Sequence, residues 1–330
     1  MTALETALTG LSLGTPVTHA NLTLFPLLGG DAGEPAYLTL GEALAAGQAR
    51  ITEVSEQGSV PELRVVNAAS QPLLLLDGEE LVGAKQNRIV NLSILVPANS
   101  ELVIPVSCVE AGRWRHESAS FMAAERAHFA RGRAQKMADV SHSLASRGER
   151  RSDQGAVWEE IRMKSGRLQA ESSTAAAAAM YEAHAHRLED FVQAMPPAPG
   201  QCGAAFAVNG ALLGVDLFDA SATYAKQAKK LLTSYALDAI DESGNDAPAA
   251  RPEDCRALLA DVLRADCRAF KAVGLGEDLR LCGAGVKGAA LELDGRVVHL
   301  CAFREQSGQA QRGEGAAGRM VRASRRRNLH

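Results

Sequence analysis

Between residues 20 and 110 the chain is a succession of short apolar runs, each closed by glycine, proline or a polar turn. Leu22 to Leu28 ends at Gly29-Gly30. Ala49 to Val54 alternates, Leu63 to Asn67 follows Pro61, and Leu73 to Leu76 is continuously apolar. Ile89 to Val96 runs into Pro97-Ala98-Asn99-Ser100, and Leu102 to Glu110 comes last. Turn signals at this spacing leave no room for long helices and point to an antiparallel sandwich or barrel. One short helix, Leu40 to Gly47, interrupts the pattern. The unbroken Leu73–Leu76 run fits a strand covered on both faces. Residues 1–118 are therefore read as an N-terminal antiparallel β-sandwich.

The composition changes after Arg113-Trp114. Residues 119–195 contain no proline and are rich in Ala, Glu, Arg, Gln and Met, which favours helix. Ser118 and Ser120 offer caps at the start, 146–153 is a charged break, and Gln154–Ser165 and Thr174–Met195 are further helices. Pro196-Pro197-Ala198-Pro199-Gly200 is a linker, so 119–199 is read as a helical insertion. Beyond it, Gly203–Phe218 is a hairpin turning at Asn209-Gly210, a pair that tolerates φ > 0 twice. Helices over Ala222–Asp241 and Pro252–Val273 precede the strands Leu279–Cys282, Gly285–Leu293 and Arg296–Phe303. The expected fold is α+β, with 200–306 a hairpin–helix–helix–hairpin unit and 307–330 a disordered basic tail.

Of the 330 residues 46% are hydrophobic but only 4% aromatic, so the core must be built from Ala, Val, Leu and Ile. The net charge of −4 gives no general attraction for nucleic acid. The arginines of the tail read as a solubilising terminus. No apolar run approaches the roughly 20 residues that span a bilayer, and Met1-Thr2-Ala3-Leu4-Glu5 does not open a signal peptide. A cytoplasmic protein without membrane or nucleic-acid partners is expected. Its six cysteines, without CxxC spacing, are expected as free thiols, with Cys108, Cys202, Cys282 and Cys301 buried.

Chemistry concentrates in Leu76–Arg88, LDGEELVGAKQNR, which sets Asp77, Glu79, Glu80, Lys85, Gln86, Asn87 and Arg88 between two β-like runs. A glutamate beside a cation keeps its charge in a partly dry site and serves as base or metal ligand. Arg88 forks onto carboxylate or phosphate, while Gln86 and Asn87 offer paired donors and acceptors. A second cluster, Cys108–Trp114, adds Glu110, Arg113 and Trp114. Glu79, Glu80 and Glu110 are thus the catalytic candidates. Lys85, Gln86, Asn87, Arg88, Arg113 and Trp114 are the candidate ligand-binding residues, for a small anionic or nucleotide-like compound. The competing reading is a salt-bridged β-connection in which the same charges neutralise one another. Cys108 reads as a structural thiol.

Other signatures are absent. There is no HExxH and no GxxxxGK[ST] P-loop, and Gly274-Leu275-Gly276 lacks the GxGxxG continuation. His184 and His186 are two apart on a helix and face different ways; His128 and His142 read as solvated. No protein-bound metal is assigned, although Asp77, Glu79 and Glu80 form a carboxylate set of the kind that holds divalent ions. No cofactor is assigned either. Asp216 reads as a cap of the helix that follows it, and the stripe Leu231, Leu232, Tyr235 and Ile240 as core.

The run LDGEELVGAKQNRIVNLSILVPA, followed by IPVSCVEAGRW, resembles the family described as the ADP-ribosylglycohydrolase- and rhodanese-phosphatase-superfamily-associated protein domain. AVNGALLGVDLFDASATYAKQAKKLLTSYALDA resembles its second shared block. The resemblance implies a link to ADP-ribose or nucleotide metabolism and carries over no catalytic residues. Two functions stand: a small-ligand protein or enzyme acting on a nucleotide- or ADP-ribose-related compound, and a non-catalytic interaction module that meets a protein partner through the helices of 119–195.

Overall fold

A computed structural model describes residues 1–29, 33–115, 117–244 and 247–305. The tail from 307 onward lies outside them. Asn209 and Gly210 take φ of 49° and 74°, joining strands Gln201–Val208 and Ala211–Phe218 through the two-residue turn that the sequence predicts. Asp294 and Gly295 (φ 51° and 76°) join Val286–Leu293 to Arg296–Arg304 in the same way. The two hairpins meet where Ala211–Phe218 pairs with Arg296–Arg304, at the centre of a nine-stranded antiparallel sheet. Leu22–Leu28 pairs with Gln201–Val208, so this early strand belongs to the large sheet and not to the N-terminal unit.

Helix Ser221–Asp241 covers one face of the sheet, where Tyr235 stacks on Phe206 at 3.9 Å between ring centroids. Helices Ala3–Thr9 and Pro252–Arg264 cover the other through Leu4, Leu8, Cys255, Leu258 and Val262. Covering both faces buries every residue of Gln201–Val208, which is why that strand shows no polar alternation. Each large apolar side chain sealed here contributes about 1.5–3 kcal/mol. The helix expected to reach Val273 ends at Arg264, because Asp266–Lys271 is drawn into the sheet as its edge strand. Cys282, on the strand beside it, is exposed instead of buried.

The N-terminal strands close into a barrel, in the order Ser100–Cys108, Glu62–Asn67, Ala49–Glu53, Phe121–Ala127, Glu79–Gly83 and Arg88–Val90. This replaces the two facing sheets of the expected sandwich. The closing strand is Phe121–Ala127, which the sequence assigns to a helix start. Its Ala, Glu and Arg favour helix, but burying Phe121 in the barrel outweighs that weak preference. Ile89–Val96 is not one strand. It breaks at Asn91, whose amide reaches Arg150 O and whose carbonyl accepts from Ser107, leaving Ile94–Val96 to pair with Leu73–Leu75 in a separate three-stranded sheet.

Helices Ala130–Arg147, Gln154–Arg167, Ala178–Ala183 and Ala185–Ala194 form the insertion. The single helix expected over 174–195 is broken at His184, whose ring nitrogen bonds Leu168 O. Ala130–Arg147 carries two fully buried cations, Arg133 and Lys136, whose partners lie in the barrel segment and the large sheet. Among the described residues no helix is long and apolar enough to cross a membrane.

Candidate ligand site at the barrel mouth

At one end of the barrel, strands finish at Glu53, Gly83 and Cys108, and others begin at Arg88 and Phe121. Side chains alternate along a strand. Ile51, Val90 and Val106 belong to the cluster that fills the barrel, so Glu53, Arg88 and Cys108, each two residues away, face the same interior. Arg88 and Cys108 are also direct cross-strand partners. The apolar filling of the barrel thus ends in a guanidinium, a carboxylate and a thiol.

Arg88 is fully buried, yet it is only partly satisfied. Its Nη1 donates to Gln86 Oε1 at 3.0 Å, while Nε and Nη2 have no hydrogen-bond partner. Those two atoms form one edge of the guanidinium. Elsewhere in the molecule that edge grips carboxylates: Arg126 holds Glu80 through Nε and Nη2 at 2.5 and 3.2 Å, and Arg167 holds Asp241 at 2.8 and 2.6 Å. Glu53 lies within reach of Arg88's charge, and both its carboxylate oxygens are likewise buried and unpartnered. Burial pushes Arg88 below the usual arginine range, an effect opposed by Cys108, Glu53 and Glu110. A guanidinium nonetheless stays charged in a protein.

Gln86 holds the arrangement still. Its Oε1 accepts from Arg88 and from the Cys108 thiol (3.3 Å), and its Nε2 donates to Glu110 O at 3.0 Å. Burial pushes the Cys108 thiol up, away from the thiolate a nucleophile needs. Over this end sits Trp114, about half exposed, with Lys85 Nζ 5.3 Å and Arg88 Cζ 5.8 Å from its ring centroid. Lys85 also donates to Glu56 O at 2.6 Å, tying the 55–60 loop to the site.

The remaining candidates divide. Glu110, Arg113 and Asn87 form an adjoining clamp. Arg113 Nη2 donates to Glu110 Oε2 at 2.7 Å and to Asn87 Oδ1 at 3.0 Å, and Thr174 Oγ1 donates to Glu110 Oε1 at 2.7 Å. Burial alone would raise Glu110, but these bonds outweigh it and hold the carboxyl below its ordinary range. Glu79 and Glu80 do not join the mouth. Glu79 takes Lys230 from helix Ser221–Asp241, and Glu80 takes Arg126. Asp77 is bound by Arg133 and by Lys136, the latter at 2.6 Å. A divalent ion on this trio would compete with four cationic side chains already seated.

Sequence reasoning passed over Glu53. Its signal was parity: it shares a face with Ile51 at the end of an alternating strand. Two other readings are corrected. Asp216 is no helix cap; it lies inside a strand, fully buried, and binds Arg133 through both oxygens. His128 is buried, not solvated; its ring occupies the space beside Gly132 where any larger side chain would put a Cβ.

The match to known families covers this whole frame. The family model for the ARG and Rhodanese-Phosphatase-superfamily-associated Protein domain, ARPP-1, spans residues 10–303. The chain belongs to the ARPP-1 domain family. That span takes in the barrel, the helical insertion and nearly all of the large sheet, so the insertion is part of the ARPP-1 domain. No curated protein and no solved structure matches the chain.

Proposed function

We propose that this ARPP-1 protein binds a small anionic ligand at the barrel mouth. The carrying observation is the unpartnered Nε–Nη2 edge of buried Arg88 facing the same interior as the unpartnered carboxylate of Glu53. Leaving such groups buried and unsatisfied costs about 1–3 kcal/mol each, more when charged, and a cost of that kind persists where it serves function. The guanidinium edge suits a carboxylate or phosphate, and Glu53 suits hydroxyl or amine donors. Trp114 offers a face for a planar ring. Acceptor, donor and ring together describe a nucleotide- or ADP-ribose-related compound, in keeping with the superfamilies the family description names. Lys85 and Trp114 form the cover, Gln86 orients Arg88, and the Glu110–Arg113–Asn87 clamp holds the loop. We assign Glu79 and Glu80 to the frame.

A thermal-shift series with ADP-ribose, mononucleotides, inorganic phosphate and divalent ions tests this. A ligand at a hundred times its dissociation constant should add about 2.7 kcal/mol of stability, and Arg88→Met should abolish the gain. Stabilisation that survives in that variant, or no stabilisation by any anion, overturns the reading. In the second case the interaction-module reading gains ground. It is favoured by the pairing of Asp77, Glu79 and Glu80, and by Met122 and Met163 of the inserted segment, which are 68% and 50% exposed.

A further inference from the structure

Ser93, His299 and Asp216 stand in line at the junction of the small sheet with the large one. Ser93 follows the break at Asn91 and is partly exposed. Its Oγ accepts the Asp77 backbone N–H at 3.0 Å and lies 2.8 Å from His299 Nδ1. His299 is 1% exposed and lies against Phe218, with centroids 4.6 Å apart and planes tilted by 36°. Its Nε2 lies 3.4 Å from Asp216 Oδ1, near enough to feel the carboxylate's charge but without a formed hydrogen bond. Burial alone would raise the Asp216 carboxyl, but the charge and hydrogen bonds of Arg133, with His299, hold it well below the usual carboxylate range. An ionised Asp216 selects the tautomer with its proton on Nε2, which leaves Nδ1 to accept from the Ser93 hydroxyl.

Beside these residues is a cleft of about 10 Å³, lined in part by Leu92, Asp77, Asp278 and Cys301. That is room for one water-sized group. Asp216, His299 and Cys301 also bring ligand atoms within 4.8 Å of one another. A metal ion is nonetheless disfavoured there, because Arg133 and Tyr235 already bond Asp216, and Lys136 adds a second buried positive charge nearby.

We propose that Ser93 is a nucleophile toward small activated acyl esters, with His299 as its base and Asp216 as the group that positions the imidazole. Ser93 Oγ bonds the acyl carbon while its proton passes to His299 Nδ1. The ester C–O bond breaks, and the departing alkoxide takes that proton. Water then attacks the acyl-serine, again losing a proton through Nδ1, and restores the Ser93 hydroxyl as the carboxylic acid leaves. No barrel-mouth residue takes part, and the ester approaches Ser93 from its partly exposed side, since the cleft itself holds no more than a water.

The test uses the full chain and a fluorophosphonate, whose phosphorus bonds serine oxygen as fluoride leaves with the hydroxyl proton. Peptide mapping should find one adduct, on Ser93, absent in Ser93→Ala. His299→Asn should slow its formation roughly 10²-fold or more. A folded wild-type protein that gains no adduct at Ser93 overturns the proposal, as does an adduct that forms equally fast in His299→Asn. Should that variant not fold, the wild-type rate decides. It must exceed the labelling rate of every other serine in the chain, and labelling spread evenly over several serines counts against the relay. Small-ester hydrolysis should be lost in Ser93→Ala, and hydrolysis that survives in that variant overturns the proposal.

Discussion

Lys230 on helix Ser221–Asp241 donates to Glu79 at the start of barrel strand Glu79–Gly83, and neither side chain is more than 4% exposed. The pair fastens the helix that covers the large sheet to the barrel. Taking one partner away leaves the other charged and dry, a change that costs about 3–5 kcal/mol. Urea denaturation of Lys230→Met and of Glu79→Gln should each show losses of that order. The double variant should be less destabilised than the sum of the singles, since it strands no charge. Additive losses would mean that the two side chains act separately.

Gly78 is a second fastening point. Its φ of 75° favours glycine, and a Cβ there would sit 2.8 Å from Arg133 Cγ. Arg133 cannot yield easily, because it bridges Asp77 and Asp216 at no exposure. Gly78→Ala should therefore combine backbone strain of about 1–2 kcal/mol with disturbance of the buried network. It should lower the melting temperature more than Gly47→Ala, whose glycine also has positive φ (67°) but where a Cβ would meet nothing. Equal losses at the two sites would show that Arg133 does not press on Gly78.

Buried His128 and half-buried Glu160 give the protein opposing pH dependences. Burial, with the charges of Lys136, Lys164 and Arg133, holds His128 at about 3, below its ordinary 6.5. The unfolded chain then binds the extra proton, so stability falls as pH drops from about 6.5 toward 3. Burial, with Asp238 nearby, raises Glu160 from 4.5 to about 7. Here the folded protein binds the extra proton, so stability falls as pH rises across that interval. Each slope is about 1.4 kcal/mol per pH unit, and they cancel between 4.5 and 6.5. Together these two groups should leave no net slope there. Glu160→Gln should decline on acidification below 6.5, and His128→Asn should decline on alkalinisation above 4.5. Chemical denaturation across pH reads all three profiles.

What could be seen in the residues was what local physics decides. The Asn209-Gly210 and Asp294-Gly295 turns, the Leu231–Tyr235 stripe and the charge density of Leu76–Arg88 follow from neighbouring positions. Phe121–Ala127 was misread because its strand state is imposed by partners far off in sequence, Ile51 and Leu81. The roles of Glu79 and Glu80 were hidden in the same way, since Lys230 and Arg126 lie 151 and 46 positions away. Arg88 and Trp114 come within 5.8 Å because Arg88 pairs with Cys108, shortly before Trp114 in the chain. Glu53 and the Ser93–His299 contact, 206 positions apart, needed the folded chain.

Arg88 and Arg133 are both wholly buried, yet they should answer differently to the same substitution. Arg133 meets two carboxylates, whereas Arg88 leaves Nε and Nη2 unpartnered near a Glu53 carboxylate in the same condition. Arg133→Met strands Asp77 and Asp216 and should cost about 3–5 kcal/mol. Glu53→Gln/Arg88→Met removes two unsatisfied charges together and keeps the volumes close. It should therefore unfold at the same temperature as the wild type or above it, the pattern of a site kept for function at the expense of stability. Calorimetric melts compare the two directly. If the double variant proves as damaging as Arg133→Met, Arg88 is part of the frame and the barrel mouth loses its claim as a binding site.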